Sequence, residues 1–122
     1  MTEKKAILCV DDEPLNLMLL ETYFAEKYKV FMAGSGYNGL EILKAHPEIA
    51  IVLSDMKMPG MNGVEFIKQA RRDHPTIIYI ILTGYDITDE IMKALNEKII
   101  HEYFQKPYNI RDIEVSIDHV FP

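Results

Sequence analysis

A single cysteine, Cys9, is present in 122 residues, which excludes a disulfide framework. Lying inside an apolar run, it reads as a small buried hydrophobe. No apolar stretch approaches the ~20 residues that a membrane helix needs, so no membrane partner is expected. The short polar start, Met1 to Lys5, has no signal-peptide core, and a cytoplasmic protein is expected. Basic charge is scarce as well: 13 Lys and Arg face 19 Asp and Glu, for a formal net charge of -6. With no basic run, direct binding of nucleic acid is not expected. Linkers, repeats and low-complexity segments are also missing, and the length suits one domain over 1–122.

What the chain does have is alternation. Five short apolar runs, Ala6 to Val10, Lys29 to Ala33, Ala50 to Ser54, Ile77 to Leu82 and Ile99 to Phe104, are separated by longer stretches of helical periodicity. This is the pattern of βαβ units around a parallel sheet. The first, third and fourth runs are uninterrupted and belong in the centre, covered on both faces. Lys29 in the second and His101 and Glu102 in the fifth suit exposed edges. A spatial order 2-1-3-4-5 meets both demands with right-handed crossovers. The expected fold is therefore α/β, a flavodoxin-like (βα)5 three-layer sandwich.

Helix punctuation agrees with that reading. Pro14 suits a first helical turn, and Asn16, Leu19, Leu20, Tyr23 and Phe24 are expected to mark its core face. A second helix should begin near Tyr37 to Gly39 and stop at His46-Pro47. A third should run from Asn62 to about Asp73, with Asn62 and Glu65 as a capping pair. Thr88 and Asn109 are expected to cap the fourth and fifth helices, the fifth turning Ile113, Ile117, Val120 and Phe121 inward. His46 and His74 precede prolines at helix ends and are read as helix-terminal groups, not metal ligands. Met58-Pro59-Gly60-Met61 has a type II turn signature.

The polar residues that close the runs carry the chemistry. Asp11 and Asp12 follow the first run, Asp55 the third, Thr83 the fourth and Lys106 the fifth. In parallel neighbouring strands all would meet at the carboxyl edge of the sheet, where open α/β folds hold ligands. Three crowded carboxylates need a cation, and oxygen-only donors suit Mg²⁺ or Mn²⁺. Adding an ammonium and a hydroxyl makes the set complementary to a phosphoryl group, with a carboxylate as nucleophile.

These residues resemble the CheY-like receiver domain of two-component response regulators over essentially the whole chain. The matching fragments are Asp11-Asp12, Asp55 within Ser-Asp-Met-Lys-Met-Pro-Gly-Met-Asn-Gly, Thr83-Gly84, and Tyr103-Phe104-Gln105-Lys106-Pro107. The resemblance implies that Asp55 is the phosphoacceptor and that Asp12, Asp55 and the Lys57 backbone carbonyl bind the metal, Asp11 acting through water. It also implies a Thr83–Tyr103 switch pair that reshapes the surface of the fourth helix, fifth strand and fifth helix, and a cis Lys106-Pro107 bond. Lys57 and Tyr85 are expected to border the path of the hydrolytic water. The implied partners are a histidine kinase or a histidine phosphotransfer protein, docking near the first helix, with an output domain or downstream protein, and a phosphorylation-dependent homodimer is admitted. Intrinsic autophosphorylation and autodephosphorylation would be the only enzymatic activity. Because the chain stops soon after the fifth helix, either a stand-alone receiver or an excised piece of a longer regulator is expected.

Three other readings fit less well. A haloacid-dehalogenase-type phosphatase would carry Asp-x-Asp-x-Thr/Val where Asp11-Asp12-Glu13-Pro14 stands. A flavodoxin-like nucleotide or flavin binder would not place three acids and no glycine in its first βα loop. A receiver serving only as an interaction module would not need the intact acidic set.

Overall fold

Uninterrupted aliphatic runs present no face to water, so each must be covered on both sides. In the computed structural model, which describes residues 4–84 and 87–121, ten elements meet that demand. They are β1 (Lys5–Val10), α1 (Pro14–Phe24), β2 (Tyr28–Ala33), α2 (Gly36–Ala45), β3 (Ile49–Asp55), α3 (Gly63–Asp73), β4 (Ile78–Thr83), α4 (Asp89–Asn96), β5 (Glu102–Gln105) and α5 (Ile110–Val120). All strand pairings are parallel and the order is β2-β1-β3-β4-β5, as the run composition implies.

Successive strand residues point to opposite faces, and this splits the apolar side chains into two cores. On one face Leu8, Val10, Val52 and Ile81 pack with Leu43, Phe66, Ile67 and Ile91 from α2, α3 and α4. On the other, Ile7, Cys9, Leu53 and Leu82 pack with Leu20 and Phe24 of α1 and Ile113 and Ile117 of α5. Cys9 is fully buried, as expected, and burial pushes its thiol up to about 12, with smaller contributions from Glu21 and Asp11. It is an inert core group.

The helix starts follow their capping chemistry. Asn62 and Glu65 form a reciprocal capping box, Thr88 Oγ1 accepts from Ile91 N at 3.2 Å, and Asn109 Oδ1 accepts from Arg111 N at 3.0 Å. Helix α2 begins slightly earlier than Tyr37, at Gly36, because Ser35 accepts from Asn38 N at 3.0 Å and fixes the start. His46 and His74 are C-cap residues, and the Lys106-Pro107 bond is cis.

Several expectations need correction. Thr83 is the last residue of β4 and only Gly84 follows the strand, whereas Asp55 ends β3 as expected. β5 starts only at Glu102, because Ile99 and Ile100 are spent closing α4, their N–H groups donating to Ala94 O. Leu19 and Tyr23 of α1 are 58% and 37% exposed, so only Leu20 and Phe24 of that proposed stripe are core. The helix is apolar almost all round (Leu15, Leu17, Met18, Leu19, Leu20), and periodicity alone cannot phase such a helix. Val120 and Phe121 are half-buried, and Phe121 packs at the margin of the α5 core. Gly60 has the positive φ of 80° that a turn here requires, but Met61 N donates to Pro59 O at 3.0 Å, a tighter closure than a type II turn.

The end of α4 holds a strained residue. Lys98 has φ 61°, the left-handed conformation usually given to glycine at a helix C-terminus. The strain of a Cβ there is of order 1–2 kcal/mol, partly offset by the greater chain entropy that glycine loses. Lys98→Gly is therefore expected to stabilise the fold by about 0.5 kcal/mol, read as a higher urea midpoint with an unchanged denaturant slope; a lower midpoint would contradict the assignment.

Candidate functional site

Strand register brings the polar strand ends together. Val10 pairs with Ser54, so Asp11 and Asp55 are next in line on adjacent strands. Asp55 pairs with Leu82, Thr83 pairs with Gln105, and Lys106 N donates to Thr83 O at 2.7 Å. Asp11, Asp12, Asp55, Thr83 and Lys106 thus meet at one edge, as the run ends implied. Carboxylate oxygens of Asp11, Asp12 and Asp55 lie within 4.8 Å of one another. Lys106 Nζ is 3.6 Å from Asp55 Oδ1. Asp11, Asp55 and Thr83 are buried, and Asp12 is the more open of the three acids.

Above them opens a cleft of ≈ 600 Å³ lined by Asp12, Asp55, Lys106 and Gly84, with Glu13, Asn16, Lys57, Met58 and Pro59 at its wall. Lys57 stands exposed on the rim. Tyr85 lies outside the described residues. Thr83 and Tyr103 share one face of the sheet, since Tyr103 pairs with Ile81 and Thr83 stands two residues beyond it. Tyr103 is half-buried against the α3 and α4 core.

The local scaffold fixes both ends of the acidic set. Asp11 Oδ1 accepts from Glu13 N at 2.9 Å, and Asp11 N donates to Ala33 O at 3.1 Å. Behind Asp55, Met56 N donates to Leu82 O at 3.0 Å and Gly63 N to Met56 O at 2.8 Å. Ser54 Oγ donates to the Asp55 carbonyl at 2.9 Å. A Cβ on Gly63 would drive into that carbonyl and against Ile81. Gly63, the last residue of the fragment that contains Asp55, is a site residue whose role only the packing shows. Asn16, a wall residue, was assigned to the core face instead.

Burial, then the neighbouring Asp11 charge, pushes Asp55 up to about 6; Lys106 and the Met56 N–H oppose the shift, and Asp12 adds to it. Tyr108, which follows the cis proline, is pushed up to about 12 by burial and then by Asp11 and Asp55. Lys106 alone does not balance the three acids. The oxygen-only donors fit a hard divalent cation of Mg²⁺ type, which accepts few protein ligands and keeps waters. With the ammonium facing Asp55, the edge can neutralise a second anionic group bound in the cleft.

Two outcomes follow for the metal-free protein. The raised Asp55 value means that the folded state holds a proton more tightly than the unfolded chain, so stability is greatest below about pH 4 for this group and falls as pH rises through about 6. Asp55→Asn is thus expected to be more stable than the parent by about 1–2 kcal/mol at pH 7.5, the gap closing in acid, measured by urea unfolding across pH. A gap that does not depend on pH would contradict the crowding argument. Gly63→Ala is expected to cost about 2–4 kcal/mol and to weaken Mg²⁺ binding at least tenfold in calorimetry; an unchanged affinity would show that the Asp55 carbonyl yields without moving its side chain.

Comparison with known proteins bears on this geometry. The family model "Response regulator receiver domain" matches residues 7–118. Sporulation initiation phosphotransferase F of Bacillus subtilis is 36% identical over 124 residues, covering 100% of this chain and 96% of its own length. The hydrogenase transcriptional regulatory protein HoxA of Cupriavidus necator is 34% identical over 88% of this chain, which spans only 22% of that protein. Among solved structures, a CheY-like response regulator receiver domain protein from Methanospirillum hungatei superposes with a TM-score of 0.85 at 31% identity, covering 96% of this chain and 93% of that one.

Proposed function

The chain belongs to the response regulator receiver domain family, and we propose that Asp55 is its phosphoacceptor. The observation that carries this assignment is the convergence of three carboxylates within 4.8 Å with the Lys106 ammonium 3.6 Å from Asp55. Asp12, Asp55 and the Lys57 carbonyl would hold Mg²⁺ or Mn²⁺, with Asp11 beside them. The chemistry such a cation would supply is neutralisation of the phosphoryl oxygens in the transition state. Asp55 attacks phosphorus in line: the bond from phosphorus to a donor's histidine nitrogen breaks, an acyl phosphate forms, and the imidazole takes a proton from solvent. Lys106 pairs with one phosphoryl oxygen, and the Thr83 hydroxyl donates to another.

Moving Thr83 toward the phosphoryl group frees space on the face that it shares with Tyr103, and the ring turns inward. An aromatic ring buries about 150–250 Å², enough to bias the α4, β5 and α5 surface toward a different partner fit. To reverse a 1:99 population to 99:1, phosphoryl contacts must favour one state by about 5.5 kcal/mol. Hydrolysis returns Asp55 and inorganic phosphate, with Lys57 on the rim of the cleft that water enters and Tyr85 outside the described residues; autophosphorylation and this decay are the domain's own chemistry.

The phosphoryl donor is a histidine kinase or a histidine phosphotransfer protein. Its helix docks on α1, where Leu15, Met18 and Leu19 are 61%, 53% and 58% exposed beside the cleft wall at Asn16. Similarity to sporulation initiation phosphotransferase F over nearly the whole of both chains supports a phosphorelay role. Similarity to HoxA supports the alternative of an output domain controlled through the α4, β5 and α5 face, on which a phosphorylated homodimer also forms. No helix among the described residues is long and apolar enough to cross a membrane, which supports a cytoplasmic setting.

Acetyl phosphate with Mg²⁺ is expected to add one phosphoryl mass to the wild type and none to Asp55→Ala, by intact-protein mass spectrometry. Labelling that survives in Asp55→Ala would move the acceptor elsewhere, and sustained turnover of a phosphate ester would favour a haloacid-dehalogenase-type phosphatase. Lys106→Ala is expected to keep Mg²⁺ binding while losing the conformational response; lost metal binding would give Lys106 a different role.

A further inference from the structure

Helix α4 is the shortest of the five, with 8 residues, and it ends on the strained Lys98. At its other end it is tied to the loop that follows Asp55. Asn62 Nδ2 donates to Glu90 Oε1, in the first turn of α4, at 3.0 Å in a half-buried setting. The rest of Asn62 is committed to α3: its Oδ1 accepts from Glu65 N at 2.8 Å, and its N–H donates to Glu65 Oε1 at 2.9 Å. The next residue, Gly63, rests on the Asp55 carbonyl and donates to Met56 O at 2.8 Å. One asparagine therefore joins the phosphorylation loop, the α3 cap and the start of α4.

We propose that the Asn62–Glu90 hydrogen bond is a latch that holds α4 in its unphosphorylated position and opposes the switch. This inference rests on the phosphoacceptor reading of Asp55. Tyr103 packs half-buried against the core that holds Ile91 and Ala94 of α4, so the inward turn of its ring that follows the movement of Thr83 displaces α4. Asn62, held by the capping box and by Gly63, cannot follow that displacement. A hydrogen bond to a charged carboxylate is directional and weakens steeply when it is stretched or bent. The bond must therefore lengthen or break as the switch proceeds, and its loss is charged against the phosphorylated state.

The choice of asparagine matters because aspartate caps a helix equally well. An aspartate at 62 would keep the α3 cap but set a carboxylate against Glu90. Reversing the donor and acceptor restores the bond: in Asn62→Asp/Glu90→Gln the new glutamine amide donates to the new carboxylate. This pair separates the latch from the cap, since both versions keep the cap.

The test uses the whole chain with Mg²⁺ and beryllofluoride as the phosphoryl mimic, its affinity followed by calorimetry and α4 mobility by amide hydrogen exchange. Glu90→Ala and Asn62→Asp are each expected to bind beryllofluoride about three- to tenfold more tightly than the wild type and to exchange the α4 amides faster. Asn62→Asp/Glu90→Gln is expected to return both readouts to wild-type values. Unchanged or weaker beryllofluoride binding in Glu90→Ala, or no recovery in the double variant, would overturn the latch. A wild type that does not bind beryllofluoride at all would instead overturn the phosphoacceptor reading, and the latch with it.

Discussion

Three carboxylates held within 4.8 Å of one another, with one ammonium to balance them, are the constraint on which the rest of this structure depends. Like charges at that distance are costly wherever water is excluded. Asp55, raised to about 6 mainly by burial, is where that cost is visible. The fold could relieve it by turning the acids outward, but instead fixes them: Asp11 to the Glu13 amide, and the Asp55 main chain between Ser54, Leu82 and Gly63. A scaffold that holds repelling groups in place makes a site suited to a compensating cation.

Sheet order converts that local strain into something that the far side of the molecule can sense. Asp55 ends a central strand, β4 lies next to it with Thr83 at its end, and β5 lies beyond with Lys106. A group bound at Asp55 therefore touches the last residues of successive strands in the direction of α4 and α5. Helix α4 is short and ends beside the strained Lys98, and its bond to Asn62 is what holds its first turn to the loop beneath it. On the sheet face that it shares with α5, α1 offers exposed leucines and a methionine beside the cleft. In the proposed function, α1 at the cleft takes the phosphoryl donor and the α4, β5 and α5 surface at the β5 edge reads its presence.

Much of this was legible in the residues. Asp11, Asp12, Asp55, Thr83 and Lys106 stand at the ends of apolar runs, and in a parallel sheet run ends meet at one edge. The strand order followed from where Lys29, His101 and Glu102 interrupt the pattern, and the Asn62, Thr88 and Asn109 caps from hydroxyl and amide chemistry at helix starts. The phase of α1 was not legible, because Leu15 to Leu20 is apolar round most of the helix and only packing selects Leu20 over Leu19. Nor was the late start of β5, where Ile99 and Ile100 look like strand residues but close α4. Gly63 and the Asn62–Glu90 bond depend on distances between segments remote in sequence, which no local pattern carries.

Placement of the divalent ion is the central claim, and the paramagnetism of Mn²⁺ tests it most directly. In a titration of the isotope-labelled protein followed by nuclear magnetic resonance, the account predicts broadening centred on the amides that flank Asp11, Asp12, Asp55 and Lys57, fading with distance from that edge and displaced by excess Mg²⁺. Broadening centred on another acidic stretch, such as Glu114 and Asp118 on α5, or none below millimolar Mn²⁺, would contradict it.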